Sequence, residues 1–209
     1  MRITDIEVTG WDAAIRGMRN PLESWKRSDS EGSKLGQNDK KLMLELAKAG
    51  GCHRKFMRMI NVTMDITAMQ PWWSEFDTYK VGTVRNSCSK MHKIHTKGFT
   101  HAEFETVGID LVPYAGDALM KVAEVCQKLS MDYGTTGDKK YWRALIELLP
   151  EGYMLTATVQ LNYEVLAQMY KWRHDHKLRE WHIFCEMIEN LPNSEIILAA
   201  AGVTRKVED

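Results

Sequence analysis

The chain has 209 residues, with 28 basic and 28 acidic side chains and a formal net charge of zero. That balance excludes a global field drawing the protein to nucleic acid or to a membrane surface, and no apolar run is long enough to span a bilayer. The first ten residues, M-R-I-T-D-I-E-V-T-G, lack the apolar core of a signal peptide. Four scattered cysteines (Cys52, Cys88, Cys126, Cys185), with no C-x-x-C pair, fit reduced thiols in a cytoplasmic protein.

In chain order, residues 2–9 alternate well enough for an opening strand that ends at Gly10. W-D-A-A-I-R-G-M, from Trp11 to Met18, reads as a short helix broken at Asn20-Pro21. Residues 27–38 are polar and rich in Ser and Gly, which reads as an exposed loop. It is either a surface linker or a loop that orders over a ligand. Asn38 is placed as the N-cap of a helix with Asp39 in its first turn, and Leu42, Leu44, Leu46 and Ala47 carry the helix to Gly50-Gly51.

Residues 60–67 alternate cleanly, with Ile60, Val62, Met64 and Ile66 apolar and polar residues between them, which predicts a strand with one buried face. Pro71 stops it. Trp72, Phe76 and Tyr79 then recur at helical spacing, and G-T-V-R-N-S-C-S-K-M-H reads as a polar loop. Residues 93–115 show no periodicity that assigns them. Their neighbourhood holds His92, His95 and His101, but no carboxylate or cysteine at a ligand spacing, so no metal site is assigned.

Residues 116–131 form an amphipathic helix with a stripe of Leu119, Val122, Val125, Cys126 and Leu129. D-Y-G-T-T-G reads as a turn, and Asp138 caps a second, antiparallel helix ending at Pro150. Tyr153, Leu155, Ala157 and Val159 alternate as a further strand. From Asn162 a helix runs to Arg173. The two residues are eleven positions apart, so they share a face at about 16 Å separation, with Leu166 and Met169 between them. Such a face offers an amide, an apolar floor and a guanidinium to a flat heterocycle with an anionic group. The alternative is a core helix capped by Asn162, with Arg173 paired to Asp175 or Glu180. A helix from Leu178 to Glu189 turns Trp181, Phe184, Cys185 and Ile188 inward, and the tail adds a last helix with a frayed charged end.

This order of features resembles the flavin-dependent thymidylate synthases, over about residues 38–92 and 141–190. Their motif R-H-R-x-x-S-x-N-E-x-S-x-R-Y, laid in step from His53, puts Tyr79, Lys80 and Val81 on R-H-R and Val84 on the serine. Asn86 and Ser89 match outright, and Met91-His92 fall on the final R-Y. Thr83 stands one position from the missing serine. In the second half Leu149-Pro150, Asn162 and Arg173 keep the family spacing. An arginine usual four residues before the proline is Ile146 here, with Arg143 seven before it.

The resemblance implies a single domain over residues 1–209, of α/β (α+β) class, with a central, mostly antiparallel sheet packed by helices. It implies a homotetramer with shared sites that binds FAD and a dUMP-like pyrimidine nucleotide, with methylenetetrahydrofolate as carbon donor and NADPH as reductant. His53, Asn86, Ser89 and Asn162 would then serve the cofactor, and Lys80, Arg85, Arg143 and Arg173 the nucleotide; no catalytic residue is assigned. Loss of the motif's arginines and serine leaves open a homologue that binds a nucleotide without turnover, or one that acts through protein contacts.

Overall fold

The computed structural model describes residues 1–203. Four strands, β1 (Arg2–Thr9), β2 (Asn61–Met69), β3 (Val84–Ser87) and β4 (Met154–Asn162), form one antiparallel sheet in the order β1-β2-β4-β3. The β2–β4 register follows from cross-strand pairs: Tyr163 N–H donates to the Ile60 carbonyl at 3.1 Å, the Thr158 hydroxyl donates to Asp65 at 2.6 Å, and the Thr67 and Thr156 hydroxyls meet at 2.8 Å. Numbering rises on one strand as it falls on the other. The predicted alternation has its physical cause here. Ile60, Val62, Met64, Ile66 and Ala68 are fully buried, and the odd-numbered residues of β4 are buried as well.

The helices among the described residues are α1 (Trp11–Arg19), α2 (Gln37–Ala49), α3 (Gln70–Phe76), α4 (Lys90–Lys93), α5 (Pro113–Thr136), α6 (Lys139–Leu148), α7 (Tyr163–Arg173), α8 (Arg179–Glu189) and α9 (Glu195–Ala201). The α+β class expected from the sequence is the one observed. The chain forms two compact units from interleaved segments. One comprises Met1–Arg2, Ile66–Phe76 and Asn86–Ala157; the other comprises Ile3–Asp65, Asp77–Arg85 and the chain from Thr158.

In the first unit, α3 buries Trp72, Trp73 and Phe76 completely, and the Trp73 indole donates to the Leu155 carbonyl at 3.1 Å. α5 packs along α6. α5 is longer than its sequence suggests: D-Y-G-T-T-G continues the helix, and the turn falls on Gly137 at φ 68°. The interior glycine, Gly134, is tolerated where nothing packs against it. Val125, expected in the apolar stripe, is exposed, and Ala123 and Ser130 join Leu119 and Cys126 on the buried face. Asp138 caps α6 as expected, accepting from Lys140 N–H at 2.9 Å. The segment 93–115 is held by buried Ile94, Phe99 and Phe104.

In the second unit, Gly10 takes φ 91° where a Cβ would lie 1.9 Å from the Met59 carbonyl oxygen, so only glycine fits at the strand-to-helix turn. Helix α9 packs on α2 and α7, and α8 packs on α7. Two expectations change here. Asn38 does not cap α2: the helix starts at Gln37, and Asp29 accepts from the N–H groups of Asn38 and Asp39 at 3.0 and 3.1 Å. The segment 27–38 is also pinned rather than a plain surface linker. Its hub is the buried Asp39 carboxylate, which accepts from the Ser28 and Ser30 hydroxyls, from Asp29 N–H, and from Arg19 Nε at 2.6 Å. Burial pushes the Asp39 pKa up, but these hydrogen bonds outweigh it and hold the carboxyl below its ordinary 3.8. Cys52 and Cys88 are exposed, and Cys126 and Cys185 are buried. The charged end of the tail lies outside the described residues.

Candidate functional site

Asn162 leaves β4 in extended conformation and opens α7. Its side-chain oxygen accepts from the N–H groups of Glu164 and Val165, both at 3.1 Å. These donors have no partner within the helix, so the amide satisfies two of the four exposed at its start. Asn162→Ala is expected to cost about 1 kcal/mol of stability, read as a shift in denaturation midpoint; no shift would mean the cap is dispensable. The loop after Tyr79 comes close to this helix start. Gly82 has φ 78°, and a Cβ there would sit 3.1 Å from both Asn162 Nδ2 and Val165 Cγ2. In the same loop the Thr83 hydroxyl is buried without a hydrogen-bond partner.

Leu166 and Met169 are fully buried, so the face between Asn162 and Arg173 is core packing and not an open apolar floor. At the far end of α7, Arg173 Nε donates to the Tyr79 hydroxyl at 2.9 Å, and the guanidinium carbon lies 4.8 Å from the Trp181 ring centre. Tyr79 is a residue that the resemblance places on a motif arginine; here it binds an arginine instead. The cation sits over an aromatic face, where the ring quadrupole attracts it.

In the first turn of α7, buried Glu164 accepts from Arg58 at 2.7 Å, with Arg54 Nε at 3.4 Å. A carboxylate there also favours the positive end of the helix dipole. Arg85 donates to Asp77 at 2.6 Å, while Lys80 and His53 are exposed. These residues all belong to the second unit.

In the first unit, Asn86 is exposed on β3, a four-residue strand where the sequence suggested only loop. Ser89 is the N-cap of α4, accepting from His92 N–H at 3.2 Å. Arg143, exposed on α6, pairs with Glu147 one turn on. The histidines go separate ways: His101 meets Asp110 at 2.9 Å, and the His95 ring stands edge-on to Tyr133.

Sequence reasoning missed two groupings, Tyr79 with Arg173 and Trp181, and Arg54 and Arg58 with Glu164. The first joins residues 94 positions apart and the second 106, and no local periodicity signals either.

No family profile and no curated protein sequence matches the chain. Solved structures do. The flavin-dependent thymidylate synthase ThyX of Helicobacter pylori, complexed with FAD and dUMP, superposes with a TM-score of 0.73 at 15% identity, over 98% of this chain and 100% of that one. The UMP/dUMP methylase PolB of Streptomyces cacaoi, bound with 5-Br dUMP, superposes with a TM-score of 0.67 at 13% identity, over 96% of this chain and 94% of that one. Agreement along nearly the whole length of both, with the α+β arrangement just described, gives this chain the fold of the flavin-dependent thymidylate synthases.

Proposed function

We propose that this protein is a flavin-dependent enzyme that binds a dUMP-like pyrimidine nucleotide and transfers a one-carbon unit to it. The observation that carries this reading is the end-to-end fold agreement with proteins whose solved structures hold FAD and dUMP, or 5-Br dUMP. Fold alone does not fix chemistry, so the donor set matters. His53, Asn86 and Ser89 are exposed, Asn162 keeps its amide N–H donors, and no carboxylate stands among the four. Hydrogen-bond donors of this kind suit the phosphates and ring carbonyls of FAD. When bound, the flavin would supply the redox chemistry, with NADPH as reductant and methylenetetrahydrofolate as carbon donor. Lys80, Arg85, Arg143 and Arg173 are the cations assigned to the nucleotide. The assembly is a homotetramer with shared sites. No described helix is long and apolar enough to cross a membrane, and the proposed compartment is the cytoplasm.

A second reading, nucleotide binding without methyl transfer, is favoured by two specific residues. Val84 stands where the motif has a serine and can neither donate a hydrogen bond nor act as a nucleophile. Tyr79 stands where the motif has an arginine and engages Arg173.

The test begins with the visible absorbance spectrum of the purified protein, before and after incubation with FAD and gel filtration. A retained flavin band is expected; its absence under both conditions sinks the flavin assignment. Calorimetric titration with dUMP then compares wild type with Arg173→Ala, which is expected to bind about tenfold to a hundredfold more weakly through loss of a charge-assisted contact. Equal affinity would remove Arg173 from the nucleotide site. Turnover with all substrates supplied separates the two readings.

A further inference from the structure

We infer that a cavity in the second unit is a binding site for a guanine nucleotide. It has a volume of about 710 Å³, within the range of small-molecule sites, and lies between the stretch from Arg19 to Arg27 and one face of α2. None of its lining residues is among those assigned above to the cofactor or to the pyrimidine nucleotide.

Its first wall is held in place by the protein alone. Buried Arg19, anchored by Asp39, donates to the Ser24 carbonyl at 3.3 Å and to the Arg27 carbonyl at 3.2 Å. Glu23 sits at φ 48°, a left-handed conformation that a residue other than glycine keeps only where its surroundings impose it. The Trp25 indole N–H donates to Asn20 Oδ1 at 2.9 Å, which fixes the ring. With that donor engaged, the half-exposed ring offers the cavity its π surface, and Leu22, 85% exposed, lines the same space. An exposed tryptophan and leucine in one cavity ask for apolar cover, and a flat two-ring base stacks on an indole.

The second wall is α2, where Lys41, Leu42 and Glu45 recur at helical spacing on the cavity side. Lys26, Arg27 and Lys41 carry no ion pair among the described residues, and neither do Glu23 and Glu45. Free charges of both signs in one cavity call for a ligand that bears an anion and, apart from it, hydrogen-bond donors. A purine nucleotide has both. The three cations suit its phosphate. A carboxylate accepts two hydrogen bonds from the guanine edge, from N1–H and the 2-amino group; against adenine it meets one donor and a repelling N1 lone pair. Guanine is therefore the base that the acidic residues select.

The test is calorimetric titration of the full chain with GMP, AMP and guanosine, with and without excess dUMP. It compares wild type, Trp25→Ala, Trp25→Phe, the double variant Lys26→Gln/Lys41→Gln, and Lys139→Gln as a control for loss of a surface charge elsewhere. Both lysines of the double variant are exposed, so the fold is not at stake there. GMP is expected to bind wild type about tenfold or more tighter than AMP or guanosine. Trp25→Ala is expected to weaken GMP about tenfold through loss of stacking, and Trp25→Phe, which keeps a ring, by less than about threefold. The lysine variant is expected to weaken GMP about tenfold and to leave guanosine unmoved, while Lys139→Gln changes nothing. Excess dUMP leaves GMP affinity as it was; displacement of GMP by dUMP would put it in the pyrimidine-nucleotide site and overturn the inference. So would no GMP binding at millimolar concentration, AMP binding as tight as GMP, wild-type affinity in either Trp25→Ala or the lysine variant, or equal losses in Trp25→Phe and Trp25→Ala. The flavin band is read separately, so failure here leaves the proposed function standing.

Discussion

Asp39→Ala is expected to lower the unfolding free energy by about 3–5 kcal/mol, the cost of leaving a buried charge without its partner. The carboxylate is completely buried and Arg19 nearly so, with 2.6 Å between Nε and oxygen. Removal strands the guanidinium, two serine hydroxyls and the Asp29 N–H together. Arg19 keeps its contacts to the backbone oxygens of Ser24 and Arg27, which hold the loop but cannot neutralise the charge. The pH dependence has a definite sign. The folded pKa lies below the ordinary 3.8, so the stabilisation is fully present above that value and is lost as pH falls through the folded pKa. Denaturant titrations at about pH 7 and about pH 3 test both points. The variant should lose most at the higher pH, with the gap to wild type narrowing in acid. A loss below about 1 kcal/mol at neutral pH would mean that the hub is replaceable.

Trp73→Ala should cost a similar amount, about 3–5 kcal/mol, by a different route. The indole is fully buried, with ring centres 4.9 Å from Trp72 and 5.4 Å from Phe76, both edge-on. Its N–H also satisfies the Leu155 carbonyl on β4. Truncation removes the largest kind of side chain from a packed cluster and leaves a cavity that the neighbours can only partly fill. Trp73→Phe separates the terms. It retains much of the ring volume but not the donor, and is expected to lose about 1–3 kcal/mol for the unsatisfied carbonyl. Denaturation midpoints followed by near-ultraviolet dichroism give both values. Equal losses for alanine and phenylalanine would place the whole effect in the hydrogen bond.

The parts of the fold legible in the sequence are those where one face of an element is buried and the other is not. β2 and β4 announce themselves because every second residue, from Ile60 to Ala68 and from Leu155 to Leu161, enters the core. β3 does not: its four residues are mostly exposed at the sheet edge, so no alternation is imposed on them. The end of α5 is hidden for a related reason: Gly134, Thr135 and Thr136 read as a turn by composition, yet the exposed helix runs on through them to Gly137. The segment 27–38 reads as linker by composition, yet its serines are ligands of one carboxylate whose burial no local pattern reveals. At the candidate site Asn162 could be read as a cap because capping is local. The grip of Tyr79 and Trp181 on Arg173 could not, because it exists only once distant segments meet. Leu166 and Met169 had the right spacing for a ligand floor, but spacing says which residues share a face and not what covers it.

The cysteine distribution lends itself to spectroscopy. One exposed thiol, Cys88, lies in the first unit, and the other, Cys52, lies in the second. The remaining thiols are buried, and burial raises both Cys126 and Cys185 toward the protonated, unreactive form. A thiol-directed dye or nitroxide applied to the unmodified chain would therefore mark each unit once, yielding a donor–acceptor or spin pair without engineered cysteines. Each unit thus carries one native attachment point for a label.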